Sequence, residues 1–166
     1  MKHHILYATD LGLYSPYVMK KLSRMAISMG AVVDILHVIE PIGVFAESIL
    51  RSYLGDDERR YLHQYGLDKV LLSIKKQVEE ALDNEYKEVL SGACVENVMV
   101  ELGRPSQVIV ETAADRQADL IVLGSHGQYS PNNAALGSVA SKVVQTSHVP
   151  VLVIPMLDIE GLDRQT

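Results

Sequence analysis

The chain is poor in cysteine, in positive charge and in long apolar runs, and each shortage excludes a class of protein. Its 166 residues contain one cysteine, Cys94, so neither an intrachain disulfide nor a cysteine-rich zinc site is possible. Asp and Glu number 21 against 15 Lys and Arg, and the net charge of −6 argues against binding to nucleic acid or to a membrane surface. The low cysteine content indicates a reducing compartment, and we expect the cytoplasm.

The apolar runs are too short for export or membrane insertion. The apolar stretch that begins at Ile5 meets a charge at Asp10, which is too early for a secretory signal. The run from Val149 to Leu157 contains two prolines and is far shorter than the ~20 residues that cross a bilayer. With 48% hydrophobic residues, 166 residues suffice for one well-packed domain over 1–166, in which 157–166 form a tail.

Short apolar segments rich in β-branched residues predict five strands, which alternate with helical segments. The predicted strands are residues 5–9, 32–39, 95–101, 119–124 and 149–155. The predicted helices begin at Ser15, near Leu67, after Gly103 and at Gly137. This alternation predicts an α/β fold with a mainly parallel sheet and helices on both faces. The unbroken apolar run of residues 120–123 predicts that this strand is the central one.

Local signals also predict how the first helix begins and ends. Ser15 is predicted to cap it, Pro16 to occupy its first position, and Gly30 to end it. The stretch from Pro41 to Gly66 interrupts the alternation and is rich in aromatic residues and arginine. It is interpreted either as a surface helix with a loop, or as an oligomer contact or a lid over a ligand.

The segment after the fourth strand has the features of an anion-binding loop. Gly124 and Gly127 can adopt positive φ and let a ligand approach the backbone closely, while Gly137 and Ser138 open a helix. Asp10 follows the first strand at the same edge of the sheet. If the first and fourth strands are neighbours, Asp10 meets the glycine loop. Its carboxylate is then available to a ribose hydroxyl, an adenine amino group or a metal.

The spacing of these glycines resembles the ATP-binding signature of the universal stress protein family. Gly124, Gly127, Gly137 and Ser138 reproduce the pattern Gly-x2-Gly-x9-Gly-Ser. Further segments resemble the family in the same order along most of residues 3–155, with 41–66 the least similar stretch; these segments are 5–10, 36–38, 103–105, 118–124 and 150–155.

The resemblance implies a Rossmann-like, five-stranded, mainly parallel sheet of order 3-2-1-4-5 with helices on both faces. It also implies a cytosolic homodimer, paired through the final strand from Val149 to Pro155, that binds ATP, AMP or ADP with Mg²⁺ and regulates a protein partner under stress. The implied nucleotide-binding residues are Ala8, Thr9, Asp10, Val38, Leu123, Gly124, Ser125, His126, Gly127, Gly137, Ser138, Val139 and Ala140.

Several alternatives remain open from the sequence. Many ATP-binding members have a basic residue after the second glycine, whereas this chain has Gln128, and residues 129–136 contain no Lys or Arg. Backbone amides, the helix dipole, Ser138 and a bound cation would then have to offset the phosphate charge. Asp10 is alternatively a turn cap, and Ser138 is also interpreted as a helix N-cap.

The alternative function is a slow ATP hydrolase or a protein that transfers a phosphoryl group to its own Ser138 or to a nearby hydroxyl. No catalytic residue is predicted. No metal ligands are predicted either, because His3 and His4 lie close to the terminus.

Overall fold

The computed structural model describes residues 3–12, 14–40, 52–53, 55–57, 60, 69, 72–73, 75–80, 94–125 and 136–155. The strands are β1 (His4–Thr9), β2 (Val32–Ile39), β3 (Cys94–Leu102), β4 (Leu120–Gly124) and β5 (Val151–Ile154). The helices are α1 (Ser15–Met29), α2 (Pro105–Asp115) and α3 (Ser138–Thr146), and residues 75–80 are also helical. All five predicted strands are confirmed to within two residues at each end.

The strands form one parallel sheet in the order β3-β2-β1-β4-β5, which confirms the predicted α/β fold and strand order. The prediction that the fourth strand is central is wrong, because β1 occupies that position. β4 is apolar throughout because it is covered on both faces: Val122 packs on the α1 side, and Ile121 and Leu123 pack on the opposite side. A continuous apolar run therefore indicates that both faces of the strand are buried, and it does not indicate the position of the strand in the sheet.

Two apolar clusters, one on each face of the sheet, make up the core. Alternate residues of each strand point to opposite faces. Ile5, Tyr7 and Ile35 therefore pack beneath α1 with Val18 and Leu22. The other face carries a second cluster contributed by β1, β2, β4, α2 and α3, namely Leu6, Ala8, Leu36, Ile109, Ala113, Ala118, Ile121, Leu123, Ala140 and Val143.

The ends of α1 agree only in part with the sequence signals. Gly30 ends the helix with φ 59°, and Ala31 N–H donates to the carbonyl of Ala26 at 2.9 Å, as in a Schellman motif. Pro16 lies in the first turn as predicted. The prediction that Ser15 is the cap is wrong: Tyr14 is the N-cap, and no side chain caps the helix. Ser15 is the first helical residue, and its buried hydroxyl bonds inward to the end of β1.

Of the 41–66 stretch, the described residues 52–53, 56–57 and 60 are helical and exposed, as expected of the surface-helix interpretation. The rest of that stretch, apart from residue 55, and the 157–166 tail lie outside the described residues. Within the described ranges, no helix is both long enough and apolar enough to cross a bilayer.

We expect Leu22→Ala to lower the free energy of unfolding by about 2–5 kcal/mol, because it leaves a cavity between α1 and the sheet. Leu22 is fully buried, whereas Ile27 on the same helix is 53% exposed. Ile27→Ala is therefore the matched control, with an expected loss under about 1 kcal/mol. Urea unfolding followed by circular dichroism measures both. Equal losses in the two variants would contradict the described packing of α1.

Candidate functional site

A cavity of about 560 Å³ opens at the carboxyl edge of the sheet. Its walls come from the ends of β1, β2 and β4 and from the first turns of α1, α2 and α3. In an open α/β sheet, the crevice for a ligand lies at this edge, where the strand order reverses. Here the reversal falls at β1, because the chain runs from β1 to β2 on one side and reaches β4 on the other.

Every predicted nucleotide-binding residue that the structure describes lines this cavity. His126 and Gly127 lie outside the described residues. The residues brought together are Ala8, Thr9, Asp10, Val38, Leu123, Gly124, Ser125, Gly137, Ser138, Val139 and Ala140. They come from four separate parts of the chain, and the parallel pairing of β1 with β2 and β4 places those parts side by side.

Further lining residues were not predicted as site residues. They are Tyr7, Ser15, Val18, Leu36, His37, Glu40, Pro105 and Ile109. His37 and Glu40 stand at the end of a predicted strand beside Val38, so strand-end position was an available signal for both. Ile109 had no such signal, because its helix reaches the cavity only through the crossover between β3 and β4.

The turn after β1 fixes the Asp10 carboxylate. Its Oδ1 accepts the N–H of Gly12 at 2.9 Å and the hydroxyl of Ser15 at 3.4 Å. The Thr9 hydroxyl lies 3.0 Å from the Ser15 hydroxyl and accepts the N–H of Leu11 at 3.1 Å. The turn-cap interpretation of Asp10 therefore holds, and the same residue is exposed and lines the cavity. The two roles are compatible.

The start of α3 forms the part of the cavity lining beside the end of β4. Gly137 is the N-cap, with φ −56° and ψ 154°, and its N–H donates to the Ser125 carbonyl at 2.8 Å. Ser138 is the first helical residue, so its interpretation as the N-cap is wrong. The first-turn N–H groups of a helix have no acceptor within the helix, and the helix dipole adds positive potential there. This end suits an anion.

Gly124 has extended backbone in the structure. It is the last residue of β4, and among the described glycines only Gly30 and Gly103 have positive φ. Gly124 therefore does not use the positive φ that glycine permits. Pairing with β5, through Ile154, holds this residue in extended backbone.

The cavity lining thus combines carboxylates, the amino end of a helix and apolar side chains. Asp10 and Glu40 bring carboxylates to the ends of β1 and β2. Between them His37 places Nδ1 2.8 Å from the Thr9 carbonyl, so this nitrogen donates to the oxygen. Val38 and Ile109 supply apolar surface. The arrangement fits an elongated ligand with an anionic group at α3 and hydrogen-bond donors at the carboxylates.

Comparison with known proteins places the chain in a family. The model of the Universal stress protein family matches residues 1–155. Universal stress protein MJ0577 of Methanocaldococcus jannaschii is 28% identical over 163 residues, covering 93% of this chain and 95% of that protein. The solved structure of MJ0577 has a TM-score of 0.68 at 27% identity, covering 95% and 99% of the two chains.

Two other solved structures share the fold at lower identity. The universal stress protein from Archaeoglobus fulgidus in complex with dAMP has a TM-score of 0.55 at 18% identity, covering 93% of this chain and 98% of that one. A universal stress protein in complex with cAMP has a TM-score of 0.56 at 19% identity, with coverages of 93% and 97%. Because the family model spans nearly the whole sequence, this chain belongs to the universal stress protein family.

Proposed function

We propose that this chain binds an adenine nucleotide in the cavity and acts as a nucleotide-dependent regulatory homodimer in the cytoplasm. The observation that carries the binding proposal is that one cavity is lined both by the N-terminus of α3 and by the carboxylates of Asp10 and Glu40. A volume of about 560 Å³ lies within the range of small-molecule sites.

The polar groups of the cavity lining suggest how a nucleotide would lie. Carboxylates repel a phosphate and accept hydrogen bonds, so the ribose hydroxyls and the adenine amino group belong near Asp10 and Glu40. The phosphate belongs at the first turn of α3, where the amides of Ser138, Val139 and Ala140 and the Ser138 hydroxyl can donate to it. Val38 and Ile109 offer apolar surface to the base.

The negative charge of the cavity lining affects how many phosphate groups a bound nucleotide can carry. Two carboxylates disfavour a highly charged anion, which favours a nucleoside monophosphate or a triphosphate partly neutralised by Mg²⁺. The two fold relatives crystallised with cAMP and dAMP hold ligands with a single phosphate, which supports adenine-nucleotide binding in this family. We therefore propose that AMP binds without a metal and that ATP binds with Mg²⁺.

The regulatory role rests on family membership, with nucleotide occupancy altering the fit of a protein partner. The alternative is slow ATP hydrolysis or phosphoryl transfer to Ser138. Phosphoryl transfer needs positive groups beside the developing charge. Since the charged groups among the described lining residues are the carboxylates of Asp10 and Glu40, binding is the function that the geometry supports best.

The dimer proposal rests on β5. This strand is at one edge of the sheet, and Val151, Leu152 and Val153 are only partly buried in the single chain. An apolar edge strand with unpaired backbone groups invites pairing with another chain. Pairing with a second copy around a two-fold axis would cover this edge and close the assembly.

We expect Gly137→Val to weaken AMP binding at least about tenfold, because its side chain would stand beside the amides that hold the phosphate. The φ of −56° and ψ of 154° at Gly137 are accessible to valine, so the fold should persist. Titration calorimetry on nucleotide-free protein measures the affinities for AMP, ADP and ATP, with and without Mg²⁺. Leu136→Val, at an exposed neighbour outside the cavity lining, is the control. Unchanged affinity in Gly137→Val would show that the start of α3 does not hold the phosphate.

We expect Asp10→Asn to weaken AMP binding about tenfold, because it turns a charge-assisted hydrogen bond into a neutral one. The amide keeps an oxygen for the Gly12 N–H, so the turn should survive. Glu111→Gln, an exposed site on α2, is the matched control. Normal affinity together with a large fall in melting temperature would mean that Asp10 serves only the turn.

We expect Val153→Lys to convert the dimer to a monomer, because a charge on an edge strand opposes strand pairing. Val144→Lys is the control, since Val144 is 47% exposed on α3. Light scattering coupled to size exclusion measures the mass of each variant. A dimer that persists in Val153→Lys would place the interface elsewhere.

A further inference from the structure

The opposite, amino edge of the sheet holds a polar cluster that the cavity does not use. His4 begins β1, Asp34 lies near the start of β2, and Glu96 lies near the start of β3. Asp34 is fully buried, Glu96 is exposed, and the His4 side chain is 16% exposed. A carboxylate so deeply buried is costly unless its charge is paired and its oxygens are hydrogen-bonded.

Two neighbours partly satisfy Asp34. The Asn97 side-chain amide donates to Oδ1 at 2.8 Å, and Nε of Arg116 donates to Oδ2 at 2.7 Å. Each carboxylate oxygen accepts at about two sites, so Oδ2 retains acceptor capacity after Arg116 has bound. The remaining group at this oxygen is His4, whose Nε2 lies 3.0 Å from it.

The orientation of His4 creates an electrostatic problem at that contact. Its Nδ1 lies 2.9 Å from the Arg116 carbonyl oxygen, so Nδ1 carries a proton and donates it. The buried Nε2 has no hydrogen-bond partner, although the Asp34 oxygen is close. In the neutral tautomer, the Nε2 lone pair would face a carboxylate oxygen. Either a proton between Nε2 and Oδ2 or a metal ion bound to both atoms removes this repulsion.

The position of Glu96 close to His4 and Asp34 favours a metal ion over a proton at this contact. The candidate ligand atoms of His4, Asp34 and Glu96 all lie within 4.8 Å of one another. A proton on Nε2 would serve only the contact with Asp34, whereas an ion between the three residues would also engage the second carboxylate. Two carboxylates against the single guanidinium of Arg116 leave an excess of negative charge, which a cation offsets.

We propose that Nε2 of His4, Oδ2 of Asp34 and the carboxylate of Glu96 bind one divalent transition-metal ion of the Zn²⁺ class. One imidazole and two carboxylates form a ligand set that suits Zn²⁺ and leaves a fourth position for water. The bond from Nδ1 of His4 to the Arg116 carbonyl is the outer-shell contact that orients a metal-binding histidine. Exposed Glu96 gives the ion a route from solvent.

The ion would connect the beginnings of three neighbouring strands, β1, β2 and β3. Binding only to the folded chain raises its stability with metal concentration. The site lies at the opposite edge of the sheet from the cavity and shares no residue with its lining, so the two proposals rest on different observations.

Titration of chelator-treated, full-length protein with ZnCl₂ tests this proposal. We expect one Zn²⁺ per chain, with affinity lowered at least about tenfold by His4→Gln and by Glu96→Gln. The matched controls are His3→Gln, beside His4, and Glu101→Gln, an exposed glutamate farther along β3. Both controls should bind Zn²⁺ as the parent chain does. Glu96→Gln changes an exposed side chain and so should fold.

Nitrogen-15 spectra of the histidine ring separate a metal from a proton. We expect Zn²⁺ to shift the Nε2 resonance of His4 while Nδ1 keeps its proton. A protonated Nε2 that Zn²⁺ does not displace would overturn the proposal and assign the contact to an imidazolium–carboxylate pair. Parent-like Zn²⁺ affinity in Glu96→Gln, or the absence of Zn²⁺ binding by the parent chain, would overturn it as well.

Discussion

The parallel pairing of β1 with β2 on one side and β4 on the other is the constraint on which the rest of the structure depends. Because all three strands run in the same direction, their carboxyl ends share one edge, and each connection returns through a helix. The turn after β1 therefore lies beside the end of β4 and the start of α3. The cavity is a consequence of this topology.

The two edges of the sheet carry different chemistry. At the carboxyl edge, charge is exposed to a cavity, and the Asp10 carboxylate is held by the turn that it also stabilises. At the amino edge, charge is buried, and Asp34 connects β2 to Asn97 of β3 and to Arg116 after α2. Between the edges the strands are almost wholly apolar, so any communication between the two sites would pass through packed side chains.

Family membership and geometry support different parts of the functional argument. Membership rests on a match along residues 1–155, and the proposed regulatory role has no other basis. The case for a nucleotide rests on the cavity itself, on the amides at the start of α3 and on the carboxylates of Asp10 and Glu40. The proposed metal site rests neither on family membership nor on the cavity. It rests on the contacts that its residues make across β1, β2 and β3.

The sequence by itself determined the five strands and the fold class, because these depend on local apolar runs, and the resemblance of its motifs to the family implied the strand order and most of the cavity lining. Tertiary structure decided what depends on partners distant in the chain. It turned Ser15 inward to Thr9 and brought Ile109 to the cavity. It also set His4 against Asp34, 30 residues away in sequence and 3.0 Å away in space. The physical reason is that strand register and helix packing fix such contacts, and neither is encoded in a short stretch of sequence.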